Sequence, residues 1–246
     1  MEAVVVIPAR YGSSRFPGKV VANKTGKFLV QHTTEAALKA STVDKVIVAT
    51  DDQRVRQACD AFGCECVMTC ESHQSGTDRI AEAVTDIVCD VIVNVQADEP
   101  EMDPKNIDFL VLLLKQNPQA DMATLVTGFD SAEQIADPNV VKTVIDTSGR
   151  AIYFSRSPIP YDRDNAGIGN EENYFRHLGI YAYRRDFLYK FTSLPQSNLE
   201  KLEKLEQLRA IENGFSIITG KVDNVPEGID TPQQYEAFVN RMKERQ

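Results

Sequence analysis

Residues 3–19 read Ala-Val-Val-Val-Ile-Pro-Ala-Arg-Tyr-Gly-Ser-Ser-Arg-Phe-Pro-Gly-Lys. The run Ala3–Ala9 is almost continuously apolar and rich in Val. That composition predicts a strand covered on both faces, as in a parallel sheet flanked by helices. The strand leads straight into a loop holding Arg10, Arg15 and Lys19. From Arg10 to Lys27 there are five basic residues and no acidic one. A loop of that charge suits a triphosphate or pyrophosphate, with Gly12, Ser13 and Ser14 adding backbone and hydroxyl donors. The plainer alternative is a solvated basic turn. The loop is not a Walker motif, because five residues separate Gly12 from Gly18 and Val20 follows Lys19. No G-x-G-x-x-G occurs anywhere in the chain, which argues against a dinucleotide site.

Working outward from this strand, Lys45–Thr50, Glu65–Thr69 and Val91–Gln96 read as further strands. Between them Phe28–Ala40, Gln53–Phe62 and Thr77–Val88 carry helical apolar spacing, with Thr77 as an N-cap. In the last of these Ile80, Ala83, Val84 and Ile87 share one face. Helix Pro104–Gln116 follows the fourth strand. The first half is therefore a doubly wound α/β unit with a mostly parallel sheet, Rossmann-like in its alternation.

The second half has shorter connections. Asp121–Gly128, Val140–Asp146, Ala151–Ser155 and Phe175–Tyr183 read as strands, and the Pro-, Asp-, Gly- and Asn-rich stretch Pro158–Asn173 as a loop. Ser197-Asn-Leu-Glu200 is a capping box opening a helix that Gly214 ends. Its stripe of Leu199, Leu202, Leu205, Leu208 and Ile211 recurs every third residue, which predicts burial on more than one side. Helix Pro232–Lys243 closes the chain. With no repeat, linker or biased tract, residues 1–246 are expected to form a single domain. Its nucleotide-binding half is 1–120, and 121–246 is a second half with a smaller mixed sheet or inserted subdomain.

The chain has 246 residues, enough for a full core, and 36 acidic against 27 basic side chains, a net charge of −9. Such a balance argues against nucleic acid or anionic membrane as a partner, since both want a broad basic surface. The longest apolar run, Phe109–Leu114, is too short to span a bilayer, and Glu2 stands where a signal peptide would carry positive charge. A cytoplasmic location is expected. Cys59, Cys64, Cys66, Cys70 and Cys89 lack the paired C-x-x-C spacing of structural zinc sites, so they are expected to be buried or half-buried thiols.

In an open parallel sheet, ligands bind beyond the carboxyl ends of the strands. Those ends here carry Arg10, Asp51, the loop His73-Gln-Ser-Gly-Thr77 and Gln96-Ala-Asp-Glu-Pro100. Asp98, at a strand end near a basic phosphate loop, is a natural Mg2+ ligand, because that ion takes one or two carboxylates plus phosphate oxygens. The competing role is a cap on the next helix. Asp230 is the natural second carboxylate, or else the cap of the last helix. Ser75 and Gly76 are small enough for a flat base to approach. In Arg176-His-Leu-Gly-Ile-Tyr181, strict alternation puts His177 and Gly179 on one face; a lone strand His is more often structural than catalytic. Arg156 either binds an anion or snorkels.

Together the motifs IPARYGSSRFPGK, VATDD, HQSGTDRIAEA, VNVQADEP, DPNVVK, YFSRSPIPYDRD, FRHLGIYAYRRDFL, LEKLEQLR and GIDTP resemble, in order and over the whole chain, the 3-deoxy-manno-octulosonate (Kdo) cytidylyltransferases. HQSGT, RHLGIY and LEQLR are specific to that family, while the opening loop and the DEP segment are shared more widely among sugar nucleotidyltransferases. The resemblance implies a nucleotidyltransferase fold and Mg2+-dependent transfer of CMP from CTP to the anomeric hydroxyl of an eight-carbon acidic sugar, with loss of pyrophosphate, for lipopolysaccharide assembly. It also implies a homodimer, with 1–120 the nucleotide-binding half and 121–246 the sugar-binding and dimerisation half. By position, Arg10, Ser14 and Lys19 match triphosphate contacts, and Ser75, Gly76 and Arg79 match groups around the cytidine. Asp98 and Asp230 match metal ligands. Gln96, Arg156, His177, Tyr181, Glu206 and Gln207 match residues lining the sugar site. Catalysis would then fall to Lys19, Asp98 and Arg10.

Two departures stand out. Ala97 replaces the family's usual Gly before the Asp-Glu-Pro, and Lys24–His32 lacks the usual Gly-Lys-Pro before its helix. These leave the sugar open, including the 8-amino relative of Kdo. Another sugar nucleotidyltransferase would share the opening loop but not HQSGT and RHLGIY. A non-catalytic nucleotide-binding protein would need neither Asp98 nor Asp230.

Overall fold

A computed structural model describes residues 1–223 and 228–245. In chain order the first half contains β1 (Ala3–Pro8), α1 (Leu29–Ala37), β2 (Lys45–Thr50), α2 (Gln53–Phe62), β3 (Cys66–Met68), α3 (Gly76–Ala83), β4 (Val91–Asn94) and α4 (Pro104–Gln116). Then follow β5 (Met122–Thr127), α5 (Ala132–Ala136), β6 (Lys142–Ile145), β7 (Ala151–Ser155), β8 (Phe175–Arg184) and α6 (Arg185–Ser193). The chain ends with α7 (Asn198–Glu203), α8 (Leu208–Glu212), β9 (Ile217–Lys221) and α9 (Pro232–Glu244).

Two compact units emerge, Met1–Asp108 with the described part of Pro226–Gln246, and Phe109–Val225. The expected halves at residue 120 are corrected on this point: the last helix belongs with the first unit. The reason is packing, since Ile229, Tyr235, Phe238 and Val239 join Leu29 of α1 in one buried cluster.

In the first unit β1 pairs in parallel with β2 and with β4, and β2 pairs in parallel with β3, giving the order β3-β2-β1-β4. All of Ala3–Ile7 is buried, as the Val-rich run predicts. Burying each of the Val and Ile side chains contributes roughly 1.5–3 kcal/mol. The strand order reverses between β1 and β4, and that switch point is where an open α/β sheet leaves a crevice beyond its strand ends. Helix α3 differs from expectation at both ends. Ser75, not Thr77, caps α3, its Oγ accepting from the Asp78 amide at 3.1 Å. That helix also stops at Ala83, short of Val88.

In the second unit β5 lies between β8, antiparallel, and β9, parallel, while β6 pairs antiparallel with β7 and β8. Strand β9 and helices α5 and α6 are elements that the sequence pattern does not announce. Gly220 of β9 lets α4 approach closely: a Cβ there would sit 2.5 Å from Phe109 and 2.7 Å from Leu113. The single helix expected from Ser197 to Gly214 is two. The capping box is present at Ser197 and Glu200, but Lys204 takes a left-handed conformation (φ 54°) and breaks the run. The break resets the helical phase, so Leu205 and Leu208 are buried whereas Leu202 is 79% exposed, against the expected multi-sided burial. Glu200 and Arg209 then form a buried bidentate pair at 2.6 and 2.8 Å.

Candidate active site

The chain after β1 is held by its own backbone. The Gly18 amide donates to the Tyr11 carbonyl at 3.0 Å, closing the basic segment into a loop. Gly18 sits at φ +71°, and a Cβ there would lie 3.0 Å from the Tyr11 ring, so both backbone and space require glycine. On the ring's other contact the Arg54 guanidinium lies 3.4 Å from the centroid, and Asp52 holds that guanidinium at 2.6 and 2.9 Å. The loop is thereby strapped to the start of α2.

The chain after β4 turns at once. The Glu99 amide donates to the Gln96 carbonyl at 3.1 Å, and the Thr33 hydroxyl of α1 donates to the Ala97 carbonyl at 3.1 Å. Among the described non-glycine residues only Ala166 and Lys204 have positive φ, so Ala97 occupies a conformation that any residue adopts. The extra methyl therefore causes no backbone strain. The Asp98 carbonyl accepts from the Ile229 amide at 2.8 Å, which ties the β4 turn to the segment before α9.

Both helix-cap alternatives fall away. α4 begins at Pro104, well past Asp98, and the Asp103 carboxylate accepts from the Lys105 amide at its start. α9 is capped by Thr231 in a capping box with Gln234. The carboxylates of Asp98 and Asp230 are left to face the cleft, and both meet Lys19. Its ammonium donates to Asp98 Oδ2 at 2.5 Å, to Asp230 Oδ1 at 3.0 Å and to the Ile229 carbonyl at 3.0 Å. The Arg15 guanidinium pairs with the other Asp230 oxygen at 2.9 Å. A cleft of about 370 Å3 collects Arg10, Ser14, Arg15, Lys19, Asp98 and Asp230, with Gln96 at its wall. Glu99 does not line that cleft. Burial, with the adjacent Asp98 charge, pushes its carboxyl up to about 8, and its Oε2 has no hydrogen-bond partner among the described residues.

Does this donor set suit Mg2+? Two carboxylates already converge on one cation, the Lys19 ammonium, and the neighbouring donors are hydroxyls and carbonyls. No group of three or more His, Cys, Asp or Glu able to hold a metal occurs among the described residues. That excludes an all-protein cage and fits a hard ion that completes its shell with water and phosphate oxygens. The residues fit the ion.

The expected base-side residues lie in the same unit. Gly76 opens α3 beside Pro8, where a Cβ would meet the ring at 3.5 Å. Arg79 is only 5% exposed; its guanidinium donates to Asp51 at 2.5 Å and to the Thr69 hydroxyl. It braces the ends of β2 and β3.

In the second unit, alternation fails along β8. Leu178 pairs with Leu125 and Tyr181 with Thr124, so Gly179 and Ile180 bulge out of register. As a result His177 is buried and Gly179 exposed, instead of sharing a face. His177 Nε2 lies 3.1 Å from the Thr124 hydroxyl, and its ring lies 5.4 Å from that of Tyr181 and 4.9 Å from Phe154. Burial lowers the His177 pKa to about 3 and raises that of Tyr181. His177 is therefore a neutral imidazole at physiological pH. Arg156 donates to the Glu203 carbonyl at 2.7 Å and the Pro138 carbonyl at 2.9 Å, so its guanidinium is engaged with backbone. Gln207, 4% exposed, has an Nε2 with no partner among the described residues, and Glu206 lies 3.7 Å from Arg209.

A family model described as Cytidylyltransferase matches residues 4–218. A 3-deoxy-manno-octulosonate cytidylyltransferase from Syntrophotalea carbinolica is 48% identical over 95% of each chain, and one from Rhodopirellula baltica is 46% identical over 99% of each. The chain belongs to the 3-deoxy-manno-octulosonate cytidylyltransferase family. It is an enzyme that transfers a cytidylyl group. A solved CMP:2-keto-3-deoxy-manno-octonic acid synthetase in complex with CTP superimposes with a TM-score of 0.94 at 43% identity, covering all of both chains. A cytidylyltransferase from Leptospira borgpetersenii, 17% identical with a TM-score of 0.66 over 99% of this chain and 87% of its own, shares the fold.

For a cytidylyltransferase of this family, sequence alone marks Arg15 as a charge of the basic loop but gives it no partner, whereas in the fold Arg15 reaches Asp230. It also missed the Tyr11–Arg54–Asp52 strap and the burial of Glu99. The Asp51-Asp52 pair at the end of β2 was a visible signal, since both carboxylates turn out to hold arginines. The cysteine expectation needs one correction. Cys59, Cys66 and Cys89 are buried and Cys64 half-buried, but Cys70 is exposed, because it lies beyond the end of β3.

Proposed function

We propose that this enzyme transfers CMP from CTP to the anomeric hydroxyl of Kdo, releasing pyrophosphate, with Mg2+ as the divalent ion. The observation that carries the reading is the convergence of Asp98, Asp230 and Lys19 beside the Arg10–Lys19 loop, at the switch point of the parallel sheet. Arg10, Ser14, Arg15 and Lys19 bind the triphosphate, and Ser75 and Gly76 lie under the cytosine. Arg79 keeps Asp51 and Thr69 in place around that pocket. Asp98 and Asp230 would hold Mg2+, which supplies positive charge to the phosphoryl oxygens when bound.

The chemistry asks chiefly for alignment and charge. Sugar carboxylate and triphosphate repel one another, and the attacking hydroxyl must lie in line with the leaving pyrophosphate. The basic loop offsets the charge on the leaving group, and no side chain need form a covalent intermediate. In the second unit, Tyr181 and the unpartnered amide of Gln207 offer hydrogen bonds to sugar hydroxyls; Gln96, at the wall of the first unit's cleft, offers another. His177, held neutral by burial, shapes that surface and does not carry a proton. Arg156 acts there through the backbone it organises. The product serves lipopolysaccharide assembly, and the enzyme works in the cytoplasm as a homodimer.

The test is pyrophosphate release from CTP with Mg2+ across a sugar panel. Release with Kdo supports the reading. Release only with 8-amino-Kdo changes the acceptor, and release with neither overturns it.

A further inference from the structure

The four charges at the head of the cleft already cancel. Lys19 and Arg15 are paired with Asp98 and Asp230, two cations against two carboxylates, with contacts of 2.5 to 3.0 Å. The Lys19 side chain is 12% exposed and sits against both carboxylates at once. The groups suited to clamp a triphosphate are thus the same groups that occupy the carboxylates suited to hold a divalent ion. Neither set is free while the other is unoccupied.

We propose that Lys19 and Arg15 form an internal counter-ion latch, which makes metal and nucleotide bind together by exchange of ion pairs. A divalent ion alone must displace an ammonium and a guanidinium and leave them without carboxylate partners, Lys19 keeping only the Ile229 carbonyl. A triphosphate alone, strongly negative near neutral pH, must either share the cations with two carboxylates or leave those carboxylates bare beside it. When both arrive, the ion takes Asp98 and Asp230, and Lys19 and Arg15 pass to the phosphates, where Arg10 already stands. Every charge then has a partner. The latch also guards the cleft against other divalent ions when no nucleotide is present. This inference rests on the reading of Asp98 and Asp230 as the metal pair.

The test is Mn2+ binding to the full chain without nucleotide, followed by the free-ion electron paramagnetic resonance signal and repeated with CTP. The wild-type protein should bind Mn2+ weakly alone and much more tightly with CTP. Lys19→Met should bind Mn2+ alone at least ~10-fold more tightly, the scale of one charged hydrogen bond removed. Arg15→Met, whose side chain is 64% exposed and so a safe change for folding, should shift affinity the same way by a smaller factor. Arg10→Met removes an equal charge that makes no carboxylate contact among the described residues, and should leave nucleotide-free Mn2+ affinity unchanged. Unaltered or weaker binding in Lys19→Met overturns the latch. So does equal tightening in all three variants, which would reflect only the local field. If no form binds Mn2+ even with CTP, the metal reading itself fails and the latch with it. Pyrophosphate release by the wild-type protein is read separately, so the two failures stay distinct.

Discussion

Replacing His177 by Gln should remove a defined part of the protein's acid sensitivity. The imidazole is buried between Phe154 and Tyr181, and burial lowers its pKa from 6.5 to about 3. The folded protein therefore keeps the neutral ring, whereas the unfolded chain takes up a proton below pH 6.5. Stability from this group is fully present above 6.5 and is lost as pH falls toward 3. Between pH 7.5 and pH 5 the unfolded state gains about 1.5 pH units of protonation that the fold refuses, or about 2 kcal/mol at 1.36 kcal/mol per unit. Glu99 acts with opposite sign. Its raised pKa of about 8 favours the fold at low pH and loses that contribution as pH rises, but the term is common to both proteins and cancels in the comparison. The assay is urea unfolding at pH 7.5 and 5.0 for the wild-type protein and the His177→Gln variant. The variant should lose about 2 kcal/mol less than the wild type across this interval. An identical pH dependence would refute the buried neutral histidine, whatever the variant's absolute stability.

Three further outcomes follow from the same geometry. Asp98→Asn should lower turnover at least ~100-fold, the scale of losing one directed electrostatic contact to a reacting phosphoryl group, with an unchanged far-ultraviolet spectrum; near-normal steady-state pyrophosphate release would remove Asp98 from the site. Gly18→Ala forces a left-handed alanine against the Tyr11 ring, so it should cost about 1–2 kcal/mol in thermal unfolding and raise KM for CTP more than it lowers kcat. Arg209→Met strands the buried Glu200 carboxylate, and chemical denaturation should show a loss of about 3 kcal/mol or more, part of it recovered when Glu200 is also changed to Met.

The sequence was most legible where burial is complete. The strands within Ala3–Ala9 and at Lys45–Thr50 are legible because strands covered on both faces must be apolar through their buried centres. It was least legible where one residue resets a local pattern. Nothing in the spacing of Leu199–Ile211 announces that Lys204 adopts positive φ, and nothing in Arg176–Tyr181 announces a bulge at Gly179 and Ile180. Both events are decided by tertiary packing. At the site, Asp98 and Asp230 could be found as strand-end and helix-flanking carboxylates. That they share Lys19 could not, because the contact depends on the Asp98–Ile229 backbone bond and the α9 cluster on α1. Arg79 and Arg156 show the converse: each is charged and well placed in the sequence, yet each guanidinium is engaged in holding other segments.

Asp98 and Asp230, brought together from distant parts of the chain, are proposed to hold one ion against the nucleotide's phosphates. Paramagnetic relaxation of the 31P nuclei of CTP by protein-bound Mn2+ measures this contact. Strong relaxation in the wild-type protein, lost both in Asp98→Asn and in Asp230→Asn while CTP stays bound, is the predicted result. Equal relaxation in the wild-type protein and both variants would put the ion elsewhere and contradict the account.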